Sequence, residues 1–265
     1  MGIKSALSWI NLADLPGVTF TASSEIANLP ASNLADEDVN QVWGVSGLGS
    51  DQEFYVDVDL IYPSTIGVVC LVLGWRLDRP EKIRQTKMMA ASDLIQITID
   101  GAGDDFGDGA AADTGEVECN IQANLGYYCW PLTAPVTGQK IRVRIDALSR
   151  ASEGFWWGAR LWVGPRMDFI RGHQFGHTEK WDENAFEEAI RTPSIPFQRV
   201  KDLNSELDNL LEFEQLTLKS RQMLFIRDLS KPNQTSLIGK RNDTSGFQSS
   251  FPKNYGFVMQ VQETW

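Results

Sequence analysis

Hydrophobic and polar residues alternate in several short segments of the chain. The period of two predicts β-strands over residues 54–60, 94–99 and 140–145, each with one buried face. A near-continuous apolar run over 65–73 predicts a strand buried on both faces, and a further strand is expected at 159–165. The side chains expected in the core include Phe54, Val56, Val58, Leu60, Ile141, Val143 and Ile145.

The pattern changes after the turn at Gly164-Pro165-Arg166. Leucines at helical spacing over 202–218, with Asp202 as a candidate N-cap, predict a short amphipathic helix. Strands are expected at 222–228, at 236–240 and, by alternation, at 255–263.

The chain of 265 residues is therefore predicted to be mainly β, with two domains. In this prediction residues 1–165 form an N-terminal β-sandwich or barrel, and residues 166–265 form a smaller α+β domain. The content of 22 glycines and 11 prolines fits such a turn-rich, strand-rich protein.

The net charge of −11 argues against non-specific binding of nucleic acid, which requires a basic surface. The N-terminal residues 1–5 do not start a basic and then apolar signal peptide, and the sequence has no apolar run of membrane-spanning length. Neither secretion nor membrane insertion is therefore expected.

The three cysteines, Cys70, Cys119 and Cys129, have no short paired spacing. A disulfide framework or a zinc site is therefore not expected, and buried free thiols in a protein made in a reducing cytosol are predicted.

The segment 101–115 is rich in Gly, Ala and Asp, and such a composition predicts a flexible loop without a core. Its four carboxylates make calcium conceivable, although their spacing is not that of an EF-hand. No other cofactor is expected. The carboxylates are Asp104, Asp105, Asp108 and Asp113.

One ordered set of short motifs lies in the first part of the chain. It consists of Ala22-Ser23-Ser24, Ser32-Asn33-Leu34, Asp36-Glu37-Asp38, Trp43 and Val58-Asp59-Leu60. This order resembles the discoidin-like, galactose-binding-type family over roughly the first 165 residues. The resemblance implies a jelly roll that serves binding or assembly rather than catalysis.

In layout, the whole chain is similar to tail-associated structural proteins of long-tailed bacteriophages. That resemblance implies a virion component at the tail tip or baseplate, made in the host cytoplasm. The implied partners are other tail proteins and further copies of the chain, as a trimer or hexamer. The alternative function is a carbohydrate-binding module that recognises a host surface glycan.

Motifs of catalysis are missing from the sequence: it has no Gly-x-Ser-x-Gly elbow, P-loop or dinucleotide fingerprint. His173 and His177 are four residues apart, but nearby glycines disfavour a helix, so loop histidines are the better interpretation. Asp57 and Asp59 share an outward strand face, which indicates a solvated surface rather than a glycosidase pair. A cell-wall hydrolase is kept only as a third hypothesis.

The tryptophans are the strongest candidates for contacts with other molecules. Trp43 is expected in the core, whereas one of the adjacent pair Trp156 and Trp157 must point away from it. An exposed tryptophan serves either as a sugar platform or as a protein–protein anchor. The predicted ligand-binding residues are Asp36, Asp38, Arg150 and Trp156, and the predicted interface residues are Trp157, Phe175, Trp181 and Trp265.

Overall fold

The structure is a computed structural model with two compact units, residues 11–165 and residues 1–10 together with 166–265. It describes residues 4–38, 41–46, 53–73, 94–101, 106, 109–118, 127–146, 155–169, 179–181, 191–200, 222–241, 246–251 and 254–263. We refer to residues 11–165 as the inserted unit and to the remainder as the terminal unit.

The first ten residues belong with the end of the chain and not with the predicted N-terminal sandwich. Strand β1 (Ser5–Ser8) lies between β10 (Met167–Phe169) and β13 (Gln222–Ile226), antiparallel to both. The prediction of a first domain over residues 1–165 is therefore corrected at its start. The physical reason is that the backbone of β1 makes its ladder hydrogen bonds with strands more than 150 residues away, which hydrophobic alternation does not reveal.

The inserted unit is built on one antiparallel sheet with the strand order β3-β9-β4-β8-β5-β6, in which β2 also pairs with β4 and β7 with β5. The strands are β2 (Thr19–Ala22), β3 (Trp43–Ser46), β4 (Glu53–Leu73), β5 (Leu94–Asp100), β6 (Ala112–Asp113), β7 (Val117–Glu118), β8 (Tyr127–Asp146) and β9 (Phe155–Gly164).

The two long strands β4 and β8 pair with each other along most of their length and form the centre of this sheet. The first half of β4 pairs with β2 and the end of β8, and its second half pairs with β9 and the start of β8. Register shifts, which bend a strand, occur between Asp59 and Ser64 and between Ile66 and Val68, where the second partner of β4 changes from β2 to β9. Gly138 is required near this bend, because a Cβ there would lie 2.3 Å from Ile99 Cγ2.

The core of the inserted unit follows the alternation in the sequence. The inward residues of 54–60, 94–99 and 140–145 are at most 2% exposed, as predicted. The apolar run is buried from Val68 to Val72, which fits a strand covered on both faces. The predicted fold class, mainly β with few helices, is confirmed.

The serine-rich motif near the start of the unit extends the ladder between β2 and β4. The Ser23 hydroxyl accepts a hydrogen bond from the Tyr55 amide at 2.9 Å and donates to the Tyr55 carbonyl at 3.3 Å. The neighbouring carbonyl of Ser24 accepts a hydrogen bond from the Trp43 indole at 3.2 Å. Trp43 is fully buried and packs edge-on against Phe54, so its predicted core position is confirmed.

The Ser-Asn-Leu motif lies in the 3-10 helix Ala31–Ala35, which is joined by hydrogen bonds to the chain before it and after it. Asn33 donates through Nδ2 to the Val42 carbonyl at 2.9 Å, and Glu25 accepts from the Ala31 amide at 3.0 Å. Leu34 is fully buried. The motif therefore fixes the start of the acidic loop that follows it.

The terminal unit contains a second antiparallel sheet, with the order β10-β1-β13-β14-β16-β12-β11 and with β15 paired to β16. Its short helix α1 (Pro232–Thr235) lies between β13 and β14 in the chain, and the helix predicted over 202–218 lies outside the described residues. The further strands are β11 (Glu179–Trp181), β12 (Arg191–Val200), β14 (Ser236–Arg241), β15 (Gly246–Phe251) and β16 (Asn254–Glu263).

Cys70 and Cys129 are buried thiols that form no disulfide bond, and they lie directly opposite each other on β4 and β8. Burial raises the pKa of the Cys70 thiol well above its usual range, and the adjacent Cys129 thiol adds to this shift. The prediction of buried free thiols is confirmed for these two residues, while Cys119 lies outside the described part of the chain.

Within the part of the chain that the structure describes, no helix has the length and apolar character needed to cross a membrane.

Candidate functional site

A polar groove of about 410 Å³ lies on the outward face of β2, β4 and β8 in the inserted unit. A residue from the segment that follows β5 also borders it. The lining residues are Thr19, Thr21, Asp57, Val58, Asp59, Phe106, Lys140 and Arg142.

The strand register brings these polar side chains together. Thr21, Asp57 and Arg142 are direct neighbours across three strands, and so are Thr19, Asp59 and Lys140. Directly opposed residues of antiparallel strands project from the same face. The residues between the two rows are buried on β4 and β8, at Val58 and Ile141, so the two rows of polar groups lie side by side on the outer face.

Arg142 lies at the centre of the groove and has a fixed orientation. Its Nε and Nη2 donate to the two carboxylate oxygens of Asp57, both at 2.7 Å. Its Cζ lies 4.2 Å from the Tyr55 ring centroid and 4.4 Å from that of Phe106, within the range of cation–π contacts. The guanidinium and the carboxylate are each still more than a quarter exposed, so a ligand has access to both.

The second row of the groove adds further hydrogen-bonding groups. The Asp59 carboxylate accepts a hydrogen bond from Gln139 Nε2 at 3.1 Å, and Lys140 lies opposite Asp59 on β8. The two carboxylates and two cations that line the groove cancel in charge. The groove therefore presents many donors and acceptors but no net charge.

Phe106 reaches the groove from the segment 101–115, which was predicted to lack regular structure. Part of that segment instead forms β6, paired to β5 through Thr98 and Asp113. The Asp113 carboxylate accepts hydrogen bonds from Gln96, Thr98 and the Gly115 amide. Asp113 therefore anchors β6, near the end of the predicted loop, to β5.

Among the described residues, no group of three or more His, Cys, Asp or Glu side chains could hold a metal ion. Of the four carboxylates considered for calcium, Asp104, Asp105 and Asp108 lie outside the described residues, as do His173 and His177. The calcium hypothesis therefore stays a prediction.

A second charged cluster joins β9 to the loops at one end of the inserted unit. Arg160 is 1% exposed and donates to both carboxylate oxygens of Asp14, at 2.8 and 2.5 Å, and to the Ala35 carbonyl at 2.5 Å. The Asn11 side chain donates to Asp14 and to the Leu161 carbonyl, both at 2.8 Å. This cluster holds both 3-10 helices, Leu12–Asp14 and Ala31–Ala35, against β9.

Burial raises the pKa of Asp14 from 3.8 to about 6, against the opposing influence of the Arg160 charge. Between about pH 4 and pH 6 the folded chain then holds a proton that the unfolded chain has released. The contribution of this group to stability is therefore present at low pH and is lost as the pH rises through that window.

We expect this dependence to disappear in Asp14→Asn, which has no titrating group at this position. The free energy of opening of the inserted unit should decrease from pH 4 to pH 6 in the wild type relative to the variant, as measured by hydrogen exchange corrected for intrinsic rates. The Asp14 carboxyl ¹³C shift should titrate near pH 6. If the free energy of opening depends on pH in the same way in both proteins, and the Asp14 carboxyl titrates with a midpoint near pH 4, the assignment is contradicted.

Of the residues predicted from sequence to bind a ligand, Asp36 and Asp38 are not among the residues that line the groove. Asp36 and Asp38 are exposed, and Asp36 Oδ1 accepts a hydrogen bond from the Asp38 amide at 2.9 Å, which closes a local turn. Trp156 lies on β9 opposite Val45, with only its backbone described, and Arg150 lies outside the described residues.

The predicted interface residues are placed only in part. The backbones of Trp157 and Trp181 belong to β9 and β11, opposite Gly44 and Arg191, and their side chains are not described. Phe175 and Trp265 lie outside the described residues. All four assignments stay predictions.

Reasoning from sequence alone does not identify the groove residues, because Asp57 and Asp59 on an outward strand face indicate a solvated surface. The sequence does contain a signal for the ion pairs of the groove. Acidic residues occupy alternate, outward positions on one predicted strand, and Lys140, Arg142 and Arg144 do so on another. Opposite charges at matching periods predict cross-strand pairing. Phe106 gives no comparable signal in the sequence.

No family model matches the chain, and no curated protein matches it. Among solved structures, it is similar to the family 32 carbohydrate-binding module (CBM) of C. perfringens NanJ in complex with galactose. The identity is 18%, the match covers 61% of this chain and 99% of that chain, and the TM-score is 0.42.

Two further similarities are of the same kind. The lectin domain of Lectinolysin complexed with Lewis B antigen is 16% identical, with 59% of this chain and 96% of that chain covered and a TM-score of 0.42. A Streptococcus pneumoniae fucose binding module is 16% identical, with 58% and 94% covered and a TM-score of 0.41. These neighbours are carbohydrate-binding modules, and at such scores they carry no weight for the function of this chain.

Proposed function

We propose that the inserted unit is a carbohydrate-binding module whose ligand occupies the groove on β2, β4 and β8. The observation that carries this proposal is the Asp57–Arg142 pair, fixed between Tyr55 and Phe106 and still accessible to a ligand.

The chemistry of the groove suits a polyhydroxylated ring. Each sugar hydroxyl both donates and accepts, so neighbouring carboxylate and guanidinium groups can bind adjacent hydroxyls. The Thr19 and Thr21 hydroxyls at the exposed edge add further partners. Phe106 supplies an apolar surface for the C–H groups of the ring.

The charge balance of the groove favours a neutral sugar. Asp57 and Asp59 offset Lys140 and Arg142, so a phosphate or carboxylate on the ligand gains no net electrostatic attraction. The overall charge of −11 further disfavours an anionic ligand. Uronic acids and sugar phosphates are therefore expected to bind more weakly than neutral hexoses.

The proposed role is binding without hydrolysis. Both carboxylate oxygens of Asp57 accept hydrogen bonds from Arg142, an arrangement that positions a group rather than one that transfers a proton or attacks a sugar. Release of reducing sugar from a bound oligosaccharide by the wild-type protein would contradict this part of the proposal.

The test is a titration of the full chain with glucose, galactose, mannose and fucose, followed by NMR, with glucuronate and glucose 6-phosphate as charged controls. At least one neutral sugar should bind in the millimolar to micromolar range, more tightly than either control. No binding of a neutral sugar at millimolar concentration, together with a blank glycan array, would overturn the proposal.

The assignment to a phage tail stays a prediction, as do the oligomeric state and the virion location. It is tested separately by gold-labelled antibody on particles from a lysate of the source organism. Label at the tail end would support it, and intact particles without label would exclude it. Sugar binding in the groove is compatible with either result.

A further inference from the structure

We infer that Asp100 is a positioning residue for the groove, because it holds the backbone at Phe106 in the conformation that places the aromatic ring over Arg142. This inference rests on the proposed carbohydrate-binding function. Asp100 does not itself line the groove, but it sets the position of Phe106, which does.

Asp100 is the last residue of β5 and is 3% exposed. Its Oδ1 accepts a hydrogen bond from the Gly101 amide at 2.8 Å, and its Oδ2 accepts one from the Phe106 amide at 3.1 Å. The backbone amides one and six positions after Asp100 are therefore held by a single carboxylate. Gly101 and Phe106 are thereby joined to the end of β5.

Phe106 has a φ of 57°, which lies in the left-handed region. Among the described residues with positive φ, it is the one that is not glycine. A bulky residue persists in this region only where the surrounding structure imposes it, and such positions cluster at functional sites. The hydrogen bond from the Phe106 amide to Asp100 joins this residue to the buried end of β5.

The position of the ring decides how Arg142 is presented to a ligand. With Phe106 at 4.4 Å and Tyr55 at 4.2 Å from its Cζ, the guanidinium is confined while it pairs with Asp57. A pre-oriented group loses less entropy when a ligand binds. Without Asp100, the Phe106 backbone relaxes out of the left-handed region, and both the ring contact and the pre-orientation are lost.

The test compares Asp100→Ala, Phe106→Ala and the double variant, using whichever of glucose, galactose, mannose and fucose binds the wild type most tightly. Each single change should weaken binding about tenfold. Because Asp100 acts through Phe106, the double variant should bind no more weakly than the singles. Losses that multiply in the double variant, or wild-type affinity in Asp100→Ala, would overturn the inference.

Asp113→Ala is the matched control, because it removes a carboxylate from the same segment that holds Gln96, Thr98 and Gly115 rather than Phe106. It should leave the affinity within about twofold, inside the spread of ordinary surface changes. Asp100→Asn keeps one acceptor oxygen and should lose less affinity than Asp100→Ala. An equal loss in Asp113→Ala would show a general effect on the fold and would count against positioning.

A second measurement separates this inference from the proposed function. In the sugar-free protein, the Arg142 side-chain NMR resonances should carry a ring-current shift from Phe106 that is lost in Asp100→Ala and in Phe106→Ala but kept in Asp113→Ala. If no sugar binds the wild type, the proposed function fails, and this shift still decides the position of the ring. An unchanged shift in Asp100→Ala would overturn the inference.

Discussion

Arg160→Ala should destabilise the inserted unit by about 3 kcal/mol, the lower end of the effect of removing one partner from a buried ion pair, because the Asp14 side chain is 29% exposed. The side chain is 1% exposed, pairs with Asp14 through two oxygens and donates to the Ala35 carbonyl. Its removal leaves a cavity and two acceptors without their donor. It also removes the hydrogen bond that joins the 3-10 helix Ala31–Ala35 to Arg160 on β9.

The measurement is native-state hydrogen exchange at the amides of β4 and β8, which reports the free energy of opening of this unit within the full chain. Arg144→Ala is the matched control, because Arg144 forms its ion pairs with Glu116 and Glu53, both about half exposed. Such surface pairs contribute about 1 kcal/mol or less. Equal effects of the two changes would contradict the structural role of Arg160.

Arg142→Ala should weaken sugar binding about 10- to 100-fold while the fold is kept. Hydrogen bonds to charged groups contribute about 1.5–3 kcal/mol each, and each 1.4 kcal/mol is a factor of ten in affinity. The change removes the donors of the guanidinium and also leaves the Asp57 carboxylate without its orienting partner. Arg142→Lys keeps the charge but not the bidentate hydrogen bonding to Asp57, so we expect an intermediate loss of affinity.

Arg144→Ala is again the control for binding, since Arg144 lies on the same face of β8 two residues further along and is not among the groove residues. Its affinity should stay within about twofold of the wild type, as expected for a surface change. Circular dichroism of each variant checks that the fold is kept. A folded Arg142→Ala protein with unchanged affinity would show that the sugar binds elsewhere.

The strand pattern of the inserted unit could be predicted because burial there follows a period of two. Val56, Val58, Ile141 and Val143 face the core, and the residues between them face outward. Trp43 could also be placed, because a single aromatic residue after a polar loop packs inward. Local alternation carries this information, so no knowledge of distant contacts was needed.

The two features that escaped prediction depend on contacts between distant parts of the chain. Ser5–Ser8 has no alternation of its own, and only its pairing with Met167–Phe169 and Gln222–Ile226 places it in the terminal unit. The groove arises from the register of three strands and from the left-handed conformation of Phe106. Register is set by the whole sheet, and the Phe106 amide is joined to Asp100 at the end of β5.

The most direct test of the central claim is amide chemical-shift mapping of the full chain during titration with the tightest-binding neutral monosaccharide. The groove account predicts saturable shifts concentrated at Thr19, Thr21, Asp57, Asp59 and Arg142, with little change in the loop that carries Asp36 and Asp38. Shifts confined to that acidic loop, or no saturable shifts at all, would contradict it.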